Sequence, residues 1–260
     1  MKSQSAVRHP PSAIKILVSW STGKDSAWML HVLTQQYPGA AAGLLTTTNQ
    51  AFDRVAMHAV RRELLEAQAR AAGLPLHVVP LPWPCSNEQY EAIMAAAVQG
   101  FVAGGFTHVA FGDLFLEDVR NYRITRLAGS GLEPLFPIWR TKSTRELAEE
   151  MIDAGLRARL TCVNPKKLDR RFAGRIFDRS LLADLPPEVD PCGENGEFHS
   201  FAYAGPMFTH QIPQQLGKIV DRDGFTFADV ELVPGSAFQH SVESEPGTYS
   251  TQAGTKSTNC

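Results

Sequence analysis

No stretch of the 260 residues approaches the ~18 to 20 uninterrupted apolar positions of a bilayer-spanning helix. The opening MKSQSAVRHPPS has no apolar run of the kind that marks a secretory signal. A soluble, cytoplasmic protein without a membrane partner is therefore expected. Charge of one sign is not in excess either: Lys plus Arg number 25 against 27 for Asp plus Glu, a formal net charge of -2. That balance excludes the broad positive field of a protein that grips nucleic acid by neutralising phosphates. Cysteine is scarce. Cys85, Cys162, Cys192 and Cys260 show no CxxC or CxxH spacing, which removes zinc knuckles and thioredoxin-like redox pairs. Cys162 sits in an apolar stretch and is expected to pack as a small hydrophobe. There is no internal repeat, and no G-x-x-x-x-G-K-[ST] phosphate loop.

What is present is an alternation of short apolar runs and amphipathic stretches. Ile14 to Ser19 predicts a strand, Ser26 to Tyr37 a helix with Trp28, Met29, Val32 and Leu33 at helical spacing, and Ala40 to Thr47 a second strand. Val55 to Ala72 predicts a helix stopped at Gly73-Leu74-Pro75. Leu76 to Leu81 and His108 to Phe111 predict further strands around a helix over Asn87 to Gly104. Strands separated by helices of this length imply a parallel sheet with helices on both faces. Such sheets bind ligands beyond the carboxyl ends of their strands. The loops after Ser19, Leu45 and Phe111 are thus the places to look for chemistry.

Further along, Ser143-Thr144-Arg145-Glu146 has the form of a capping box that opens a helix. Leu156 to Val163 predicts a strand, Lys167 to Leu182 a helix with Phe172, Ile176 and Phe177 inward, and Pro186 to Phe208 an irregular loop leading into short strands. The expected organisation is a disordered segment 1–12, a nucleotide-binding domain 13–125, a smaller α+β domain 126–235, and a disordered tail 236–260 rich in Ser, Thr and Gly.

Three segments carry chemistry. The first, Ser19-Trp20-Ser21-Thr22-Gly23-Lys24-Asp25-Ser26, lies where strand gives way to helix. Small residues permit close backbone approach, the helix N-terminus offers unpaired N–H groups, and Lys24 adds a charge, so an anion cradle is expected. The second is Gly112-Asp113, where a carboxylate leaves a strand at the sheet's carboxyl edge, followed by Arg120, Arg123 and Arg126 near one helical face. The third, Asp190-Pro191-Cys192-Gly193-Glu194-Asn195-Gly196-Glu197-Phe198-His199-Ser200, is too polar and glycine-rich to build a core and suits close approach to a ligand.

The first segment resembles the S-G-G-K-D-S loop of the ATP pyrophosphatases, a superfamily that includes GMP synthetase and tRNA-modifying adenylating enzymes. Ser21, Gly23, Lys24, Asp25 and Ser26 match that loop, and Thr22 replaces its first glycine. A β-branched residue disfavours positive φ, so Thr22 predicts either ordinary dihedrals or weakened phosphate binding. With Gly112-Asp113, Leu135 to Trp139, Leu168 to Arg175 and the Gly193 to Glu197 run, residues 14 to 210 resemble the diphthine–ammonia ligase family. That family carries G-E-x-G-E before an aromatic residue. One departure is that relatives often place a glutamate just after Arg123, where this chain has Ile124 and Thr125.

The resemblance implies a HUP-type sheet that binds ATP, facing a smaller substrate domain. It implies an AMP-forming carbon–nitrogen ligase that adenylates a small-molecule or protein-borne carboxylate and transfers ammonia or an amine. Ser19, Ser21, Thr22, Gly23, Lys24, Asp25, Ser26, Thr46 and Gly112 would bind ATP, with adenine near Leu45 to Thr47. Asp25 and Asp113 would hold Mg2+. Gly193, Asn195, Gly196 and Arg175 would bind the acceptor, and Lys24, Asp113, Glu194, Glu197 and His199 would carry the chemistry. Two other functions share these features: an ATP-binding sensor of the universal-stress-protein type without turnover, and adenylation of a tRNA base. A possible basic face of Lys166, Lys167, Arg170, Arg171, Arg175 and Arg179 favours the last, whereas the near-neutral charge and the lack of a recognisable RNA-binding module count against it.

Overall fold

The computed structural model describes residues 14–50, 54–55 and 60–233. Both segments expected to be disordered, 1–12 and 236–260, lie outside the described residues. The first sheet is built from β1 (Ile16–Ser19), β2 (Ala41–Asn49), β4 (Leu76–Leu81), β5 (His108–Ala110) and β6 (Glu133–Leu135), all paired in parallel. From edge to edge the order is β4, β2, β1, β5, β6, with the two-residue β3 (Arg54–Val55) antiparallel to the end of β2. The chain steps outward one way from β1 and then returns to step outward the other way. The reversal falls between β1 and β5, where a crevice opens at the carboxyl edge.

The helices α1 (Lys24–Gln36), α2 (Arg62–Ala72), α3 (Asn87–Ala103) and α4 (Glu117–Leu127) form the connections. Local chemistry explains their ends. Ser86 and Gln89 make a reciprocal capping box at the start of α3, and Gly73 closes α2 in the left-handed conformation at φ 66°. The helix expected over Val55 to Ala72 is shorter than predicted. Val55 pairs with Thr48 as a strand and the helix begins at Arg62, residues 56–59 being outside the described set.

The second sheet is wholly antiparallel, in the order β8 (Phe198–Ala204), β7 (Arg157–Val163), β10 (Phe225–Leu232), β9 (Gln214–Arg222). It follows α5 (Thr144–Asp153), whose capping box forms as read from Ser143 and Glu146. Two expectations fail here. Lys167 to Leu182 is not one helix: it contains a single 3-10 turn (Arg170–Phe172) and the short α6 (Arg179–Asp184). The reason is competition for backbone hydrogen bonds. Gly174, at φ 80°, turns the chain so that the Gly174 and Phe177 amides donate to the Leu160 and Ala158 carbonyls of β7, and the Arg175 carbonyl accepts from the Leu160 amide. The expected short strands before Phe208 are one seven-residue strand, β8. β9 and β10 pair as an antiparallel hairpin where no strands were expected.

The first sheet does not end at residue 125, because β6 extends it to Leu135. We place the start of the second unit after that strand. One buried cluster runs through both units, from Val18 and Trp28 to Phe172, Phe201 and Ile212. Cys162 is buried, 3% exposed, and burial pushes its thiol up to about 11. Among the described residues no helix is long and apolar enough to cross a membrane.

Candidate functional site

The β1–α1 loop is held from within and from outside. The Ser26 hydroxyl donates to the Gly23 carbonyl at 3.0 Å and receives the Ser21 hydroxyl at 3.1 Å. Gly23 precedes the first turn of α1 without a side-chain cap, so the amide end of the helix faces the loop. One of those amides, on Lys24, donates to the Ser200 hydroxyl of β8 at 3.2 Å. Thr22 has φ 70° and is fully buried. Of the two alternatives for this position, ordinary dihedrals are excluded: the threonine adopts the left-handed backbone that suits a glycine. That conformation costs a non-glycine residue about 1–2 kcal/mol, and the Thr22 hydroxyl, buried without a hydrogen-bond partner, offsets none of it.

Lys24 is not directed at solvent. Its side chain is 2% exposed, and its ammonium meets both Asp25 carboxylate oxygens at 2.9 Å and the main-chain oxygen of Cys192. Burial alone would lower its pKa, but the Asp25 carboxylate beside it holds it well above the ordinary lysine value. Cys192 cannot supply that charge, since its thiol is buried, pushed upward and neutral. Lys24 thus joins the first unit's loop to the second unit's loop through a buried, fully engaged cation.

The second loop is organised by Asp190. Its carboxylate accepts from the amides of Cys192 at 2.8 Å and Glu194 at 3.3 Å, and from the Thr144 hydroxyl at the start of α5 at 2.6 Å. Gly193 has φ 74°, and a Cβ there would lie 2.9 Å from the Phe198 carbonyl oxygen. Gly196, at φ 78°, has nothing within 4 Å of a Cβ. Gly196→Ala is expected to lower stability by about 1 kcal/mol, the backbone term alone. Gly193→Ala adds a steric clash with main chain, so it should melt several degrees lower than Gly196→Ala. Equal melting curves for the two variants would show that the close approach to Phe198 constrains nothing.

These loops enclose a cavity of about 270 Å3 lined by Ser21, Lys24, Asp25, Asp113, Glu194 and His199, among others. A second, more apolar cavity of about 300 Å3 adjoins it, between β2, β5 and α3, with Leu45, Thr46, Thr47, Tyr90, Met94 and Phe111 in its wall. Ser19, Ser21 and Arg123 line both. The electrostatics of the polar cavity are set by acid groups crowded together. Burial, reinforced by Asp25, Asp190 and Asp113 against the opposing pull of Lys24, pushes the Glu194 carboxyl up to about 8. Burial and then Lys24 push the His199 imidazole below its ordinary value. The cavity thus biases Glu194 toward its protonated form and His199 toward its neutral one.

The structure brings Ser19, Ser21, Lys24, Asp25, Ser26, Gly112, Asp113, Gly193, Glu194, Gly196 and His199 to one cavity wall. Gly112 has a packing reason for being glycine, since a Cβ would lie 3.0 Å from the Asp25 carbonyl oxygen. Asp113 is clamped by the Arg123 guanidinium at 2.6 and 3.1 Å. Thr46 is buried in the wall of the apolar cavity, its hydroxyl donating to the Trp20 carbonyl at 2.7 Å. Five candidates fall elsewhere: Thr22 and Gly23 are buried within the β1–α1 loop and line neither cavity, and three more lie outside the loop. Glu197, 3% exposed, lies behind the loop and accepts from the Asp190 amide at 3.2 Å and the Asn195 side chain at 3.3 Å. Asn195 is exposed, and its carbonyl receives Lys167. Arg175 pairs with Asp184 at 2.8 Å. These three do not line the polar cavity. The supposed basic face is partly neutralised, with Arg170 on Asp221 and Arg179 on Asp153. Gln68, which holds the site from α2, was not among the candidates, although it stands out as a polar residue one turn beyond Leu64 on the apolar stripe of that helix. Asp190 belongs to the third segment named above, but its role in organising the loop was not assigned.

Residues 143–226 match the diphthamide synthase C-terminal domain family. The chain is similar to the diphthine–ammonia ligase of Bos taurus, 25% identical over 236 residues that cover 81% of this chain and 86% of that one. With the diphthine–ammonia ligase of Homo sapiens the identity is 26% over 144 residues, 52% of this chain and 54% of the relative.

Proposed function

We propose, from the premise that the chain belongs to the diphthine–ammonia ligase family, that it is an ATP-dependent ligase joining ammonia to a carboxylate of diphthine type. The observation that carries this reading is the pair of adjoining cavities. The apolar one suits an adenine, with its edge toward Thr46 and Thr47. The polar one combines the first unit's phosphate-type loop with Glu194 and His199 of the second, a combination for which an ATP sensor without turnover has no use.

A carboxylate resists direct amide formation because oxide would have to leave. Attack of its oxygen on the α-phosphorus of ATP forms the acyl-adenylate and expels pyrophosphate; ammonia then adds to the carbonyl carbon and AMP departs. Charge accumulates on the pyrophosphate, where the amide end of α1 and the fixed cation of Lys24 stabilise it most. His199, which lines the polar cavity and is biased toward its neutral form, would take the proton that the attacking ammonia loses.

Among the described residues no three His, Cys, Asp or Glu side chains converge as a metal site. Asp25 and Asp113 both line the polar cavity, though Lys24 and Arg123 already bond their oxygens, and they would hold Mg2+ through their remaining lone pairs, since that ion is usually bound through one or two carboxylates together with substrate phosphates. The Glu194 carboxyl is pushed up first by burial and then by the Asp25, Asp190 and Asp113 carboxylates, part of whose charge such a cation would neutralise. When bound, Mg2+ supplies electrostatic neutralisation of the phosphates.

Incubation with ATP, Mg2+, ammonium and a diphthine-bearing protein should release AMP and pyrophosphate in step with amide formation. Release of ADP and phosphate, or no acceptor-dependent release of any kind, would sink the proposal.

A further inference from the structure

We infer that Gln68 is a positioning residue that holds Thr22 in its left-handed conformation and so keeps the β1–α1 loop in phosphate-binding form; its link to ATP rests on the function proposed above. Gln68 is fully buried on the inner stripe of α2, with Leu64 and Leu65 as neighbours in that stripe. Packing at such a position asks only for an apolar side chain of similar volume. An amide is tolerated there only when its polar atoms are paired, and here each is used. Its oxygen accepts from the Trp20 indole N–H at 2.8 Å, and its nitrogen donates to the Thr22 carbonyl at 2.9 Å and the Ala202 carbonyl at 2.6 Å. The bonds to Trp20 and Thr22 bracket Ser21, which lines both cavities, and the bond to Ala202 ties the bracket to β8.

Something must hold Thr22 at φ 70°, because its own side chain opposes the conformation and its hydroxyl has no partner. The Thr22 carbonyl is fixed by two donors, the Gln68 amide and the Ala202 main-chain N–H at 3.0 Å. Relaxing Thr22 to negative φ would turn its peptide planes away from both. Gln68 thus compensates for the threonine in a loop position that a glycine would occupy without strain. Without the clamp the loop populates relaxed forms, and apparent ATP affinity falls in proportion to the fraction that stays competent.

The test compares wild type, Gln68→Met, Thr22→Gly and the double variant by thermal melting and by calorimetric titration with ATP. Gln68→Met should weaken ATP binding roughly tenfold, as expected when about a tenth of the molecules keep the loop competent. Thr22→Gly should bind as tightly as wild type or more tightly. With glycine at position 22 the loss caused by Gln68→Met should shrink to less than about threefold, and the melting deficit should shrink with it. Equal losses in both backgrounds would make Gln68 an ordinary core residue and overturn the inference. If Gln68→Met does not fold, Trp20→Phe removes one of the clamp's bonds and is compared across the same two backgrounds with the same criterion. Failure of the wild type itself to bind ATP would refute the nucleotide reading instead, and the melting coupling between positions 22 and 68 would still decide the clamp.

Discussion

Lys24→Ala is expected to lower the stability of the protein by about 3–5 kcal/mol, the usual consequence of removing one partner of a buried ion pair, and to abolish ATP binding in the molecules that remain folded. A lysine reaching into solvent toward a phosphate would lose affinity and little stability, but Lys24 is only 2% exposed. The ammonium is buried between the rings of Phe177 and Phe198, each centroid 5.5 Å away, and bridges Asp25 to the Cys192 carbonyl. Its removal leaves the Asp25 carboxylate and that carbonyl without their partner at the junction of the two units. Lys24→Met, which keeps the hydrocarbon stem between the rings, should recover part of the stability and none of the affinity. Denaturant unfolding and calorimetry separate the two effects. An alanine variant as stable as wild type would mean that the lysine does not act as a bolt.

Glu194→Gln should reduce acceptor-dependent turnover by about 10² to 10⁴, the range for removal of a positioned proton-transfer group, while ATP binding survives. It should also change the pH dependence of stability in a defined sense. Burial, with Asp25, Asp190 and Asp113, raises the folded-state pKa to about 8 from the ordinary glutamate value of 4.5. Between those values the folded state binds more protons than the unfolded state, so stability falls as pH rises. The contribution is fully present below pH 4.5 and lost as pH passes through 8. Glutamine has no proton to lose, so the variant should hold its melting temperature across pH 6 to 9 while the wild type declines. Parallel curves would remove the crowded-carboxylate account of the cavity. Glu197→Gln, behind the loop, should show its main effect in melting temperature, because that carboxylate organises Asp190 and Asn195 and does not line the cavity.

The parallel sheet, the first loop and both capping boxes were legible in the sequence because each depends on near neighbours. Apolar periodicity sets strand and helix, and residues three or four apart set a cap. The segment from Lys167 to Leu182 was misread because its amphipathic pattern competes with β7 for backbone hydrogen bonds, and the winner depends on a strand distant in sequence. The candidate residues divide in the same way. Residues 19–26, Asp113 and the Gly193 to Ser200 run were picked out by residue type, since small residues, glycines and carboxylates gather where a backbone meets a ligand. Whether each then faces the cavity was decided by partners far along the chain. Arg175 turned to Asp184, Glu197 turned to the Asp190 amide, and Lys24 was buried under the Cys192 carbonyl. The sequence determined which loops carry the chemistry. Only the tertiary structure decided that Thr22 is held against its own preference, and that the holding group is a glutamine on another helix, because hydrogen bonds across 46 residues of separation leave no periodic trace in the chain.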